Sequence, residues 1–229
     1  MHSIILGVAL LLLGSVTART AHAQQDDDAA PCAAAHAAVI ERFISAECSA
    51  CWTAAPSGAA ARDQWLLDWI VPSARGDDAP LSPAAPSEAA ERAQRVLTTG
   101  VDGARTVEHR TAARAASRAR LTVASGPAFN GYFGVQLDGR GRWPADARAW
   151  IALVESVAAG TDGTPVPRQL VRTVAGPYRP AELQSGKPWR VLQAMRWPET
   201  AKPERLRARA WLERSDGRIV AMAGERCTP

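Results

Sequence analysis

The sequence predicts an α/β half followed by an antiparallel β-rich, sandwich-like half. First, the apolar run Val39–Ile44 leads directly into a Cys-x-x-Cys pair and a helix-permissive segment. Second, turn-separated strand patterns follow one another from Leu121 onward. Third, Asp216-Gly217 separates two alternating runs, which is among the strongest short-range signals of a β-hairpin. The chain of 229 residues is long enough for two such domains, which we place at 38–120 and 121–229.

The N-terminus has the pattern of a secretory signal peptide. The apolar run Ile4–Leu13 is followed by the A-x-A cleavage site Ala21–Ala23. We therefore predict a signal peptide at 1–23, a flexible lead-in at 24–37, and export to the periplasm or beyond the cell. The apolar run is shorter than the about 20 residues of a membrane span, so no membrane contact is expected after cleavage. The net charge of +4 is too mild to indicate a nucleic-acid partner.

In the first half, apolar and β-branched residues predict strands at 37–46 and 65–71. Ser87 is expected to cap a helix that continues through Arg95, and a short strand is expected at 96–98. A second helix is predicted at 104–120, where Arg110, Arg114 and Arg118 recur at i, i+4 spacing.

Two further expectations concern strands. Glu41 and Arg42 interrupt the first strand, so we expect them near a sheet edge or paired with each other. The second half is expected to hold six strands, at 132–137, 149–155, 169–174, 189–195, 206–212 and 218–223.

Cys48 and Cys51 stand at the predicted strand-to-helix junction, which is the layout of a thioredoxin-like redox site. A thiol at a helix N-terminus is favoured as thiolate, and the second thiol lies one turn on. We therefore predict Cys48 as the attacking thiol and Cys51 as the resolving thiol of a thiol–disulfide oxidoreductase. No cofactor is needed, and the partners would be thiol-containing exported proteins or a redox partner. Glu47 opposes this chemistry because its charge disfavours a neighbouring thiolate, and no cation adjoins the motif in sequence.

The cysteines also allow other interpretations. Four cysteines permit three pairings, and the simplest adds a structural Cys32–Cys227 bond to the Cys48–Cys51 pair. In that case Cys48–Cys51 itself could be a permanent bond in a non-catalytic binding or structural module. A third alternative is a metal site, because Cys32, His36, Cys48 and Cys51 form a C-x3-H-x11-C-x2-C set of zinc or copper(I) ligands. The remaining mature-chain histidine, His109, is isolated, so hydrolase chemistry has no support.

The segment Glu41–Cys51, the pair Val171-Arg172 and the strand residues Gly217–Ala221 resemble a secreted bacterial family known as domain of unknown function 1223. The resemblance covers most of the mature chain, and it implies a thioredoxin-like N-terminal half and a β-rich C-terminal half. The chain departs from the family pattern at Glu47, where the family has Gly, and at Trp52-Thr53, where it has Pro-Pro. It also has Thr98-Thr99 where the family has Thr-Pro, the position of a thioredoxin-type cis-proline.

Overall fold

The structure is a computed structural model that describes residues 38–55, 64–101, 103, 105–112, 119–183 and 188–225. All of them belong to one compact unit, Pro31–Pro229. The predicted signal peptide, the lead-in and the pair Cys32–Cys227 lie outside the described residues. Within the described residues, no helix combines the length and the apolar character that a membrane crossing requires.

The described chain forms ten strands and three α-helices. The strands are β1 Ala38–Ser45, β2 Gln64–Val71, β3 Val107–Ala112, β4 Arg120–Ser125, β5 Tyr132–Arg140, β6 Arg148–Val157, β7 Arg168–Tyr178, β8 Trp189–Arg196, β9 Leu206–Glu213 and β10 Ile219–Gly224. The α-helices are α1 Ser49–Thr53, α2 Glu88–Val96 and α3 Pro180–Leu183. Short 3-10 turns lie at Gly76–Asp78, Ser82–Ala84 and Pro203–Arg205.

Seven strands form one mixed sheet in the order β10-β9-β6-β7-β2-β1-β3, and the other three form a sheet in the order β4-β5-β8. The pairs β1–β2 and β2–β7 are parallel, and all other pairs are antiparallel. Although β3 and β10 are the two ends of the large sheet, both line one cleft beside α2. The large sheet therefore curls around that helix.

Strand alternation gives the large sheet two buried faces. On β6, Ile151 and Leu153 pack against the small sheet, while Trp150 and Val154 belong to the apolar cluster beneath α2. The rest of the face that carries the small sheet is covered by a third apolar cluster, which includes α1 and residues after β2. One sheet thus carries α2 on its concave face and the small sheet and α1 on the other.

The predicted fold class, a thioredoxin-like α/β domain followed by a β-rich sandwich, is wrong. The large sheet combines β1, β2 and β3 with β6, β7, β9 and β10, and the small sheet packs on that same sheet instead of forming a separate sandwich. Strands are the main regular structure of the described residues, and α1 is only five residues long. Because β2 pairs directly with β7, strands from far apart in sequence share one sheet.

The predicted helix at 104–120 is also wrong where the structure describes it. Residues Val107–Ala112 form β3, which pairs antiparallel with β1. Val107, His109 and Thr111 are half-buried while the residues between them are exposed, and this period of two is that of a strand. Arg110 is therefore a strand residue, and Arg114 and Arg118 lie outside the described residues. No strand forms at 96–98, because Val96 ends α2.

Several local predictions are confirmed. β1, β2, α2 and the β9–β10 hairpin occupy the predicted positions. Ser87 precedes α2 as predicted but makes no capping hydrogen bond, since its hydroxyl donates to the Glu88 carboxylate instead. Glu41 and Arg42 do not pair with each other, because their side chains extend to opposite faces of the sheet. Their strand, β1, lies second from the edge of the large sheet, between β2 and β3.

Candidate functional site

The disulfide lies where β1 ends and the chain turns into α1. Cys48 is the N-cap residue of α1 and is bonded to Cys51, with their Cα atoms 5.2 Å apart. The backbone N–H of Cys51 donates to Cys48 Sγ at 3.1 Å. Cys48 is 6% exposed and Cys51 is 7% exposed, and both pack with apolar residues that include Ile44 and Leu170. The intervening Ser49 and Ala50 are exposed. The pair therefore lies just beneath the surface.

The C-terminal end of α1 is held by Arg168, the first residue of β7. Its Nη2 donates to the carbonyl oxygens of Cys51 at 3.1 Å, Trp52 at 2.6 Å and Ala54 at 2.7 Å. Arg168 is only 1% exposed, and its guanidinium lies 5.3 Å from the centre of the Trp52 ring. The carbonyls at the end of a helix normally lack partners, so this arginine fixes the segment that carries Cys51.

Arg168 belongs to a buried charge cluster that joins three strands. Asp68 of β2 is fully buried and lies 2.7 Å from Arg42 of β1 and 3.6 Å from Arg168. Asp68 also accepts the backbone N–H of Gln169 at 2.8 Å. Burial and the neighbouring Arg42 lower the pKa of Arg168, whereas the attraction of Asp68 acts in the opposite direction. The Asp68 carboxylate thus compensates the charges of two buried arginines, Arg42 and Arg168. Of these, Arg168 also holds α1.

Trp52 connects α1 to the loop before β7 by a hydrogen bond. Its Nε1–H donates to the carbonyl oxygen of Asp162 at 2.9 Å, and its ring packs in the same cluster as the cysteines. The Asp162 carboxylate is held in turn by Lys202 at 3.3 Å and Arg205 at 2.7 Å. The loop that carries Asp162 is therefore bonded to α1 through Trp52 and anchored by two cations.

The Asp162 ion pairs should make a small, pH-dependent contribution to stability. Burial raises the pKa of Asp162, but the hydrogen bonds and charges of Lys202 and Arg205 outweigh it and lower the pKa. A lowered carboxyl pKa means that the unfolded state binds more protons in acid, so this stability is present above about pH 4 and is lost as the pH falls through the folded-state pKa.

Asp162→Asn should therefore destabilise the protein by at most about 1 kcal/mol at pH 6 and by less at pH 3, because the carboxylate is partly exposed. Urea unfolding at both pH values measures the difference. Asp216→Asn is the control, because this carboxylate of the β9–β10 hairpin is similarly exposed but among the described residues has a single ion pair, at 3.6 Å from Arg218. An Asp162→Asn effect that grows in acid would contradict this account.

The structure brings together only part of the predicted site. Cys48 and Cys51 are bonded, but Cys32, His36 and Cys227 lie outside the described residues, so the metal set and the second disulfide stay predictions. In the ranges that the structure describes, no three His, Cys, Asp or Glu side chains are grouped as metal ligands.

Three members of this site, Arg168, Asp68 and Arg42 in its role as an ion-pair partner, were not predicted from the sequence. A signal was available for two of them: charged residues inside apolar strands are rarely buried without partners, and Arg42 and Asp68 are directly opposite in the β1–β2 register. For Arg168 the sequence offers no comparable signal, because the carbonyl oxygens that it binds at the end of α1 lie more than a hundred residues away in the chain.

Comparison of the chain with protein-family models, with curated proteins and with solved structures gave no match. The resemblance to domain of unknown function 1223 therefore stays a prediction, as does export.

Proposed function

We propose that the protein is an exported thiol–disulfide exchange protein that acts through Cys48 and Cys51. The observation that supports this most is the hydrogen bond from the Cys51 N–H to Cys48 Sγ. When the bond is reduced, a thiolate at Cys48 would accept the same hydrogen bond, and such a bond favours the charged form of a thiol. The exposed residues Ser49 and Ala50 leave the motif at the surface, where another chain can approach it.

In the proposed reaction, a thiolate of an exported protein attacks Cys48 Sγ. The Cys48–Cys51 bond breaks, and its electron pair leaves on Cys51 as a thiolate, which takes up a proton. A second substrate thiolate then attacks the substrate sulfur of the mixed disulfide, and Cys48 leaves as a thiolate. The substrate loses two electrons and gains a disulfide, while the pair becomes a dithiol. A disulfide-bearing partner returns it to the oxidised form by the reverse steps.

The second candidate is a structural disulfide in a non-catalytic module. The observation that favours it is the low exposure of both cysteines, together with the three hydrogen bonds by which Arg168 fixes the end of α1. Low exposure slows attack by a partner thiol, since exchange rates depend on access to the sulfur.

The reduction potential of the pair separates the two candidates. Equilibration of the full exported chain in glutathione buffers, followed by alkylation and mass spectrometry, measures it. An exchange protein should give a value of roughly −270 to −120 mV, the range of thioredoxin to DsbA, whereas a value below about −300 mV marks a structural bond.

A trapping experiment provides the second test. Cys51→Ser removes the resolving thiol, so mixed disulfides should accumulate on Cys48 in cells and be visible on non-reducing gels. Cys48→Ser is the matched control, because it leaves one thiol in the same motif but removes the proposed point of attack. Equal or absent adducts in the two variants would contradict the exchange function.

A further inference from the structure

A second feature lies on the opposite face of the large sheet from the disulfide. It is a cleft of about 750 Å³ bounded by the last turn of α2, by β3, by the start of β6 and by the β9–β10 hairpin. Glu41 of β1 extends to this face, where it meets α2, whereas Arg42 extends to the face of the disulfide. The cleft is therefore separate from the exchange site and needs its own explanation.

The cleft is strongly basic. Six arginines line it: Arg92, Arg95, Arg110, Arg148, Arg214 and Arg218. Only two carboxylates accompany them, Glu213 and Asp216. Each of these already has an arginine partner, since Glu213 lies 2.6 Å from Arg92 and Asp216 lies 3.6 Å from Arg218. Arg214 pairs with Asp146, a carboxylate that does not line the cleft.

Arg95 and Arg148 are the cations best placed to bind a ligand. Within the described residues, no carboxylate lies at ion-pair distance from Arg148. Arg95 lies 3.8 Å from Glu213, but Glu213 is closer to Arg92, at 2.6 Å. Arg95 lies 4.4 Å from the centre of the Trp150 ring, which orients its guanidinium. Burial and the repulsion of Arg92 and Arg148 lower the pKa of Arg95, against the attraction of Glu213 and Glu91. Positive charge is thus crowded at this point.

We propose that this cleft binds a small organic polyanion, a phosphate ester or a polycarboxylate, between Arg95 and Arg148. A planar guanidinium donates two parallel hydrogen bonds to a carboxylate or a phosphate, and two such groups suit a ligand with more than one negative charge. A cleft lined mainly by one sign of charge also concentrates ligands of the other sign. The cleft volume lies within the range of about 300 to 1,000 Å³ typical of small-molecule sites.

Two features of the cleft act against anion binding and limit its strength. The C-terminal end of α2 presents the negative end of its dipole, and Glu213 contributes a buried carboxylate. Arg92 is shared between Glu213 and Glu41, so these three residues keep one net negative charge, which Arg95 offsets in part from 3.8 Å. Arg148 is therefore the more available of the two cations, and Arg95 adds charge that it shares with Glu213.

Isothermal titration calorimetry of the full exported chain tests the proposal with two probes, inorganic pyrophosphate and citrate, and with acetate as a monovalent reference. We expect saturable binding of at least one probe with a stoichiometry of one, weakened at higher salt. Arg148→Gln should weaken it at least tenfold. Arg196→Gln is the matched control, because it makes the same charge change at an exposed residue of β8 outside the cleft.

The outcomes are separable. Binding of pyrophosphate alone assigns the site to phosphate-bearing ligands, the class that includes phosphate esters, and binding of citrate alone assigns it to polycarboxylates. Loss in Arg148→Gln but not in Arg196→Gln supports the location. If neither probe binds saturably, or if the two variants weaken binding equally, the proposal is overturned. Because neither arginine contacts the disulfide, the result is independent of the exchange function.

Discussion

Replacing Arg92 with methionine is expected to lower the free energy of unfolding by about 3 to 5 kcal/mol, the usual cost of removing one member of a buried ion pair. Arg92 of α2 is 4% exposed and lies between Glu41 of β1 and Glu213 of β9. Its nitrogens donate to Glu41 at 2.8 and 2.7 Å and to Glu213 at 2.6 Å. The variant would bury two carboxylates without this shared cation.

Arg92 is also fixed in its charged form. Burial lowers the pKa of Arg92, but the charges and hydrogen bonds of Glu41 and Glu213 outweigh it and raise the pKa above its ordinary value. The guanidinium also lies 5.5 Å from the centre of the Trp211 ring. The arginine thus holds α2 in the concave face of the sheet by charge as well as by packing.

Urea unfolding compares Arg92→Met with Arg95→Met, which removes the same side chain from the same helix where it is about one-third exposed. The control should lose about 1 kcal/mol or less. Adding Glu213→Gln to Arg92→Met should recover part of the loss, since it removes one of the uncompensated charges. Superimposable unfolding curves for the two single variants would contradict the buried-triad explanation.

The sequence predicts the strands better than their assembly. β1, β2 and the β9–β10 hairpin follow from local patterns of apolar residues and turns, which act over a few positions. The large sheet depends on pairs that local patterns do not encode, such as Asp68 of β2 opposite Leu170 of β7. The Cys-x-x-Cys motif suggested a thioredoxin-like domain, but α1 ends at Thr53 and supplies no long helix to cover a parallel sheet.

The candidate site was predictable to a similar degree. The spacing of Cys48 and Cys51 identified the bonded pair, because a separation of three residues at a helix start places the Cα atoms within disulfide reach, here 5.2 Å apart. The arginines that hold α1 and line the cleft were not predicted as such. Arginine is common in this chain, and only the tertiary structure separates the buried Arg92 and Arg168 from those exposed to solvent.

Asp68→Asn should cause a loss of similar size, about 3 to 5 kcal/mol, because it leaves Arg42 and Arg168 buried without their carboxylate. Arg42 depends on Asp68 most, since among the described residues its Nε and Nη1 have no hydrogen-bond partner. Asparagine retains an oxygen that can accept the Gln169 N–H, so the substitution isolates the charge from the shape.

Asp138→Asn is the matched control, because Asp138 is also a strand aspartate paired with an arginine, at 2.7 Å from Arg190, but it is partly exposed. It should cost about 1 kcal/mol or less by urea unfolding.

A second measurement addresses the disulfide. Without Asp68, Arg168 should hold the carbonyls of Cys51 and Trp52 less firmly, so dithiothreitol should reduce Cys48–Cys51 faster in Asp68→Asn than in Asp138→Asn. If Asp68→Asn lost stability while its disulfide was reduced at the control rate, the charge cluster would stabilise the sheet without governing access to the cysteines.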